Sequence, residues 1–121
     1  ELVFGHNDLL PANFIHDGTR MWLIDWDYAG FNSPFFDLGG LAANNGLSEV
    51  QEGRMLERYF DRAPDGLMWR RYRAMKAAAA LRETLWSMVS EIHSELEFDF
   101  AAYTAANLST YRASFDAFKQ T

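Results

Sequence analysis

Three polar side chains near the start of the chain have the types and the order that phosphoryl transfer requires. Asp8 is followed five positions later by Asn13, and Asn13 is followed twelve positions later by Asp25. A carboxylate such as Asp8 can accept or orient the proton of an attacking hydroxyl group. Hard oxygen ligands such as Asn13 and Asp25 can hold Mg²⁺ against phosphates. Because phosphoryl transfer from ATP depends on this combination of groups, we predict that Asp8 is catalytic and that Asn13 and Asp25 bind the metal.

Short extended segments are predicted to position these side chains. Apolar residues favour strands at 2–4, 13–16 and 21–24. Residues 17–19, Asp-Gly-Thr, predict a hairpin turn between the last two strands, because Asp and Gly tolerate the positive backbone angles of such turns. The hairpin would bring Asn13 and Asp25 side by side. Residues 30–34 are predicted to be irregular.

The rest of the chain has the signals of helices. Cap and stop residues predict four helices. The first covers residues 37–45, with Asp37 as its cap and Gly46 at its end, and the second runs from the capping box of Ser48 and Gln51 to about residue 61. A long third helix at about 67–94 has Asp65 as its cap, and Asp99 caps the last helix. The expected fold class is therefore α+β and mainly helical. A small β-hairpin region would carry the catalytic loop, and about four helices would follow it.

Composition and charge narrow the classes of function. The chain has 121 residues, no cysteine and a net charge of −6, which argues against a disulfide-stapled domain and against a general nucleic-acid binder. Six of the acidic residues but only one basic residue lie within residues 1–45. This acidic and aromatic-rich segment favours a site for a cation, either metal or organic. No apolar run reaches the length of a membrane span, and we expect a cytoplasmic protein.

The order of the motifs resembles a known family. His6-x-Asp8-x-x-x-x-Asn13 followed by Ile24-Asp25 is similar to the catalytic loop and metal-binding segment of the protein-kinase-like fold. Within that fold, the chain resembles the choline/ethanolamine kinase family in a series of motifs that covers most of its length: Phe4-Gly5-His6-Asn7-Asp8, Ile24-Asp25-Trp26-Asp27-Tyr28-Ala29-Gly30, Phe36-Asp37-Leu38-Gly39, Leu85-Trp86-Ser87 and Glu97-Phe98.

The resemblance implies that residues 1–121 are the C-terminal catalytic and substrate-binding lobe of a longer protein. A separate N-terminal lobe of that protein would supply the nucleotide-binding lysine and the phosphate-covering loop. The implied reaction is ATP-dependent phosphorylation of the hydroxyl of choline or ethanolamine, with Mg²⁺ as cofactor and ATP as co-substrate. Only eleven residues separate Asp25 from Asp37, which leaves little room for a segment that docks a protein substrate and favours a small acceptor.

Further residues receive roles from their places in the motifs. His6 and Asp37 are expected to support the catalytic loop, and Asp27 to contribute to metal placement, to face a cationic substrate or to be structural. Trp86 and Tyr103 resemble the family's choline-binding aromatic residues, although such rings on helices often belong to a core. Three positions before Trp86, where the family often has another aromatic residue, this chain has Glu83.

Two other functions stay open at this point. One is an aminoglycoside-phosphotransferase-like kinase that acts on a sugar, an antibiotic or another small molecule. The other is a pseudokinase that binds a cation without catalysis, which the presence of Asp8, Asn13 and Asp25 disfavours.

Overall fold

A computed structural model describes all residues from 1 to 121. Four short strands precede four helices: β1 (Val3–Gly5), β2 (Phe14–His16), β3 (Met21–Leu23), β4 (Gly30–Asn32), α1 (Pro34–Asn45), α2 (Glu49–Phe60), α3 (Gly66–His93) and α4 (Phe100–Lys119). A one-turn 3₁₀ helix, Pro11–Asn13, lies directly before β2. The mainly helical α+β fold expected from the sequence is therefore confirmed.

Two small antiparallel sheets hold the N-terminal third of the chain. Strands β2 and β3 form the expected hairpin, with Phe14 opposite Leu23. The prediction that residues 30–34 are irregular is wrong, because β4 pairs with β1 and places Gly30 opposite Gly5. A three-residue strand that begins with glycine is too short to show an alternation of apolar and polar residues. Such a strand is therefore recognised only by its pairing with the partner strand. The β1–β4 pairing brings the two ends of residues 5–30 together, so this segment forms a closed loop.

The helices begin and end at the residues that supply their caps. The Ser48 and Gln51 side chains form both hydrogen bonds of a capping box at the start of α2, and Asp65 and Asp99 cap α3 and α4. Helix α1 is an exception to the prediction, because it begins at Pro34 with Ser33 as its cap. Asp37 therefore lies within the first turn of α1, and its carboxylate is available for other partners.

The hydrophobic core lies between α1, α2 and the first half of α3. Its buried members are Leu38, Ala42, Leu56, Met68 and Tyr72. Helix α3 also packs along α4, where the Ser87 hydroxyl donates to the carbonyl oxygen of Phe100 (3.1 Å) and lies 2.6 Å from the hydroxyl of Thr104. None of the four helices combines the length and the apolar composition that a membrane span needs.

Helices α1 and α3 approach each other closely at Gly39, and this contact gives a first prediction. A Cβ at Gly39 would lie 2.6 Å from the Cα of Lys76, whereas a Cβ at Gly40 would meet only the Cβ of Ala79 at 3.7 Å. We expect Gly39→Ala to lower the free energy of unfolding by about 1–3 kcal/mol through overpacking. Gly40→Ala is the matched control and should leave stability unchanged or raise it, because alanine is the better helix former. Urea denaturation of both variants measures the difference, and equal stabilities would contradict the close-packing account.

Candidate active site

The loop after β1 is anchored to the first turn of α1. The backbone N–H groups of His6 and Asn7 donate to the two carboxylate oxygens of Asp37, at 2.8 and 2.7 Å. Asn7 has a left-handed backbone with φ of 67°, a conformation that asparagine tolerates better than most residues. A Cβ at Gly5 would lie 2.7 Å from the nearer Asp37 oxygen, so only glycine permits this approach. Asp37 thus fixes the direction in which the loop leaves the strand.

His6 is buried, and both of its ring nitrogens have protein partners. Nδ1 accepts a hydrogen bond from the backbone N–H of Asp8 (3.1 Å). Nε2 lies 2.8 Å from the carbonyl oxygen of Ile24, to which it donates because Nδ1 is the acceptor. The ring also packs edge-on against Trp26, with centroids 4.7 Å apart. This arrangement links the loop before Asp8 to the segment around Asp25 and leaves the imidazole no lone pair for proton abstraction.

Asp8 and Asn13 are both buried and in direct contact. The Asn13 amide donates to the Asp8 carbonyl oxygen (2.8 Å), and its nitrogen lies 3.5 Å from one Asp8 carboxylate oxygen. The backbone N–H of Ile24 donates to the carbonyl oxygen of Asn13 at 2.9 Å, so the backbone segment that leads into Asp25 runs next to that of Asn13. The β2–β3 hairpin therefore brings together residues that are twelve positions apart in the chain.

The Asp25 region presents oxygen atoms that the protein itself does not use. The carboxylates of Asp25 and Asp27 are exposed, and neither makes a hydrogen bond or an ion pair with another residue. Asp25 also has a left-handed backbone, with φ of 58°. A non-glycine residue in this conformation is strained, and such strain is concentrated at functional sites.

The side chains of Asn13 and Asp25 provide only part of a ligand set for Mg²⁺. Nowhere in residues 1–121 do three or more histidine or carboxylate side chains converge on a point that could hold a metal ion. A fully protein-made cage is therefore absent. Magnesium that binds with a nucleotide usually takes one or two protein ligands, with phosphate oxygens and water completing its octahedron. The unpaired carboxylate of Asp25 and the amide oxygen of Asn13, which belong to neighbouring backbone segments, are donors of the kind that this smaller requirement calls for.

Arg82, in α3, is a site residue that the sequence reasoning missed. Its guanidinium donates to the carbonyl oxygen of Asn7 and reaches one carboxylate oxygen of Asp8 at 3.5 Å. The same guanidinium lies over the ring of Phe36 at 5.2 Å and near that of Tyr28 at 5.7 Å, distances typical of cation–π contacts. No sequence signal pointed to Arg82, because its contact with Asp8 spans 74 positions of the chain. Only the packing of α3 against the loop reveals it.

Trp86 and Tyr103 belong to a cluster of four aromatic rings where α3 meets the start of α4. The cluster consists of Trp86, Phe98, Phe100 and Tyr103, in edge-to-face contacts with centroids 4.9–6.4 Å apart. Phe100 is buried, but 48% of Trp86 and 57% of Phe98 are exposed. We call this group the aromatic cluster. Its exposed edges distinguish it from an ordinary core, in which all four rings would be covered.

Glu83 connects the aromatic cluster to the charged part of the site. The Tyr103 hydroxyl donates to a carboxylate oxygen of Glu83 at 2.7 Å. Burial, the hydrogen bond to Glu83 and its charge raise the pKa of Tyr103 to about 12, and the charge of Asp8 contributes in the same direction. Tyr103 is therefore a neutral donor at physiological pH and lies within electrostatic range of Asp8.

Two cavities of the chain lie away from the candidate site. One of about 630 Å³ is lined by residues of α1, α2 and α3, including Phe35, Phe60 and Met68. Another, of about 360 Å³, lies between α1 and α4 beside Leu47 and Ser114. Neither contains Asp8, Asp25 or the aromatic cluster.

Some of the curated relatives are named as ethanolamine kinases. The chain is 31% identical over 135 residues to ethanolamine kinase 2 of Rattus norvegicus, an alignment that covers 91% of this chain and 34% of the relative. It is 29% identical over 102 residues to protein LicA of Haemophilus influenzae, covering 79% of this chain and 38% of the relative. The chain thus spans roughly a third of the length of these relatives.

Solved structures share the fold. The crystal structure of a choline/ethanolamine kinase family protein from Mesorhizobium loti superimposes with a TM-score of 0.87 at 30% identity, over 98% of this chain and 41% of that one. The choline kinase LicA of Streptococcus pneumoniae, at 22% identity, superimposes with a TM-score of 0.69 over 100% of this chain and 41% of that one. At 22% identity, the similarity to the Streptococcus pneumoniae structure establishes a shared fold and nothing about function.

A family model describes the segment that contains the site. The model of the phosphotransferase enzyme family matches residues 1–75, which is more than half of the chain and includes both the Asp8 loop and the Asp25 segment. The chain belongs to the phosphotransferase enzyme family.

Proposed function

We propose that this chain is the C-terminal catalytic and substrate-binding lobe, residues 1–121, of a kinase that transfers the γ-phosphoryl group of ATP to the hydroxyl of a small amino alcohol such as ethanolamine or choline. The observation that carries the proposal is the convergence of Asp8, Asn13 and the Asp25 segment within one hydrogen-bonded unit. The relatives named ethanolamine kinase and the structural neighbour named as a choline/ethanolamine kinase family protein support the choice of acceptor.

Each residue of the site has a role in this reaction. The Asp8 carboxylate accepts a hydrogen bond from the acceptor hydroxyl, orients its oxygen towards the phosphoryl group and takes its proton as the bond to phosphorus forms. Asn13 and Asp25 would hold Mg²⁺, which when bound neutralises charge on the phosphate oxygens. His6 and Asp37 keep the loop in place through the hydrogen bonds described above. Asp27 adds negative charge that favours a metal or a cationic acceptor nearby.

Two features support a further, N-terminal lobe in the functional protein. The chain has two lysines, and both are in ion pairs on the helices, Lys76 with Glu52 (3.0 Å) and Lys119 with Asp116 (2.9 Å). Lys76 is held by a largely buried carboxylate, and neither lysine belongs to the strand region that carries the Asp8 loop. In addition, the strand region exposes many large apolar side chains: Leu2, Phe4, Ile15, Met21, Trp22, Ile24, Trp26, Tyr28 and Phe31. Exposed apolar surface of this extent is typical of an interface.

A panel of acceptors tests the proposal. The full-length protein is incubated with ATP and Mg²⁺, and ADP release is measured with ethanolamine, choline, a neutral diol and an aminoglycoside. We expect the highest kcat/KM with an amino alcohol, because the site combines carboxylates with aromatic faces. Preference for the aminoglycoside would establish the alternative, an aminoglycoside-phosphotransferase-like kinase. Binding of the amino alcohol without ADP release would establish the non-catalytic alternative.

Arg82 gives a second prediction, as a positioning residue for the Asp8 loop. One guanidinium bonds both the Asn7 carbonyl and the Asp8 carboxylate, so its removal should loosen the catalytic geometry. Because misplacement of a reacting group by ~1 Å can cost ~10²-fold, we expect Arg82→Met to lower kcat by ~10–10²-fold with little change in the KM for ATP. Arg82→Lys, which keeps the charge but loses the two-pronged contact, should recover only part of the rate.

The control for Arg82 is Arg112→Met in α4, where the arginine is exposed and has no ion pair. This variant should have wild-type kinetics. Thermal melting of all three variants separates positioning from folding: a normal kcat in Arg82→Met, or a loss of kcat that only follows a loss of folded protein, would refute the positioning role.

A further inference from the structure

Glu83 is a buried carboxylate without a cationic partner. Only 5% of the residue is exposed, and none of the ion pairs of the chain includes it. Its one hydrogen bond comes from the Tyr103 hydroxyl. A carboxylate removed from water is costly unless it is paired, and a single neutral donor offsets only part of that cost. Glu83 therefore remains a favourable partner for a cation from outside the chain.

The second carboxylate oxygen of Glu83 has no hydrogen-bond partner in the protein. Every fully buried side-chain nitrogen or oxygen atom in the chain has a hydrogen-bond partner. Oε1 of Glu83 accepts from Tyr103, whereas Oε2 has no protein partner, so Oε2 is not sealed from solvent. Oε2 therefore has free lone pairs that an N–H donor from outside the chain could use.

The surroundings of Glu83 suit the cationic end of a small molecule. Trp86 lies three positions further along α3, on the same side of the helix as Glu83. Tyr103 contributes its hydroxyl to Glu83 and its ring to the aromatic cluster. A cation at Oε2 would thus have a carboxylate on one side and aromatic rings on another, both of which attract positive charge.

The neighbours of Glu83 link it to the group that would receive the hydroxyl end of the same molecule. The preceding residue, Arg82, contacts the Asp8 carboxylate at 3.5 Å, and the charge of Asp8 acts on Tyr103. A short amino alcohol therefore has a place for its hydroxyl at Asp8 and a place for its ammonium group near Glu83.

We infer that Glu83 is a specificity-determining residue that selects an acceptor whose ammonium group carries at least one N–H, so that ethanolamine and its mono- and dimethyl derivatives are preferred to choline. The inference rests on the proposed function. The physical reason is directional: an N–H group can donate to Oε2, whereas a quaternary ammonium has no donor and keeps only cation–π and longer-range charge attraction.

A methylation series tests this selection. We would measure kcat/KM of the full-length protein with ethanolamine, its N-methyl and N,N-dimethyl derivatives and choline, which carry three, two, one and no N–H groups at neutral pH. Because the last hydrogen bond to the charged carboxylate is lost there, the largest step should be a decrease in kcat/KM of ~10-fold or more between the dimethyl compound and choline. In Glu83→Gln the ratio of kcat/KM between the dimethyl compound and choline should fall by ~10-fold. Glutamine can still accept the hydrogen bond from Tyr103, but it has lost the negative charge.

Two controls accompany the series. Glu57→Gln changes an exposed glutamate of α2 that has no ion pair and should leave the whole series unchanged. Isothermal titration of the same four compounds without ATP reports binding separately from catalysis. Suppose that amino alcohols are phosphorylated. If kcat/KM for choline then equals or exceeds that for the dimethyl compound, or if Glu83→Gln leaves the difference between these two compounds unchanged, the inference about Glu83 is overturned while the proposed function stands. If no amino alcohol is bound or phosphorylated, both are overturned.

Discussion

Asp8→Asn is expected to lower kcat of the full-length enzyme by ~10²–10⁴-fold, the range for loss of a positioned general base. Asparagine keeps the size of the side chain and can still interact with Arg82 and Asn13, but its amide cannot accept the hydroxyl proton. The KM for ATP should change little, because the structure gives Asp8 contacts to the loop and to Arg82 rather than a place in a nucleotide pocket. Steady-state kinetics with saturating ATP and a range of acceptor concentrations measure both parameters.

The matched control is Asp61→Asn. Asp61 is an exposed residue at the end of α2 with a left-handed backbone, a conformation that asparagine also adopts. This substitution removes one negative charge without touching the site, so its kcat should equal that of the wild type. An Asp8→Asn enzyme with more than a tenth of wild-type kcat would assign proton transfer to another group.

Asp25→Asn is expected to lower kcat/KM by at least ~10²-fold, because the charge stabilisation that a bound metal ion supplies amounts to several kcal/mol. Asparagine offers one neutral oxygen where aspartate offers a charged carboxylate. The loss should be smaller at high Mg²⁺, and the Mg²⁺ concentration that gives half-maximal rate should rise. A titration of activity with Mg²⁺ at fixed ATP separates these effects from a simple loss of acceptor binding.

The same Mg²⁺ titration with Asp27→Asn determines the role of the Asp27 carboxylate. A raised Mg²⁺ requirement places Asp27 with the metal, a raised KM for the amino alcohol places it with the acceptor, and no change in either makes it structural. For Asp25, an unchanged Mg²⁺ dependence would contradict its proposed role as a metal ligand.

Most of the local structure could be predicted from the sequence because its signals are local. The hairpin depends on a turn at residues 17–19, and the starts of α2, α3 and α4 depend on cap residues that lie beside the helices they begin. The order of Asp8, Asn13 and Asp25 predicted a common site, and the hydrogen bond between Ile24 and Asn13 shows how the hairpin brings the segments together.

The missed features depend on contacts between distant segments. Strand β4 exists because it pairs with β1, and the role of Asp37 depends on its bonds to a loop some 30 positions earlier. The same holds for Arg82, whose partners lie some 75 positions away. The start of α1 is different, because its signal is local: Ser33 is the cap and Pro34 the first helical residue, where the prediction had Asp37 as the cap. In the sequence Glu83 is only a departure from a family pattern, and its burial and its bond to Tyr103 become visible once α3 and α4 are packed.

The proposed reaction moves a phosphoryl group from ATP to the hydroxyl of an amino alcohol. Phosphorus NMR of the full-length protein with ATP, Mg²⁺ and ethanolamine tests it most directly, since the product ester, ADP and inorganic phosphate have separate resonances. We expect a phosphomonoester signal that grows at the same rate as the ADP signal and is nearly absent in Asp8→Asn. ADP accompanied only by inorganic phosphate, or an ester signal undiminished in Asp8→Asn, would contradict it.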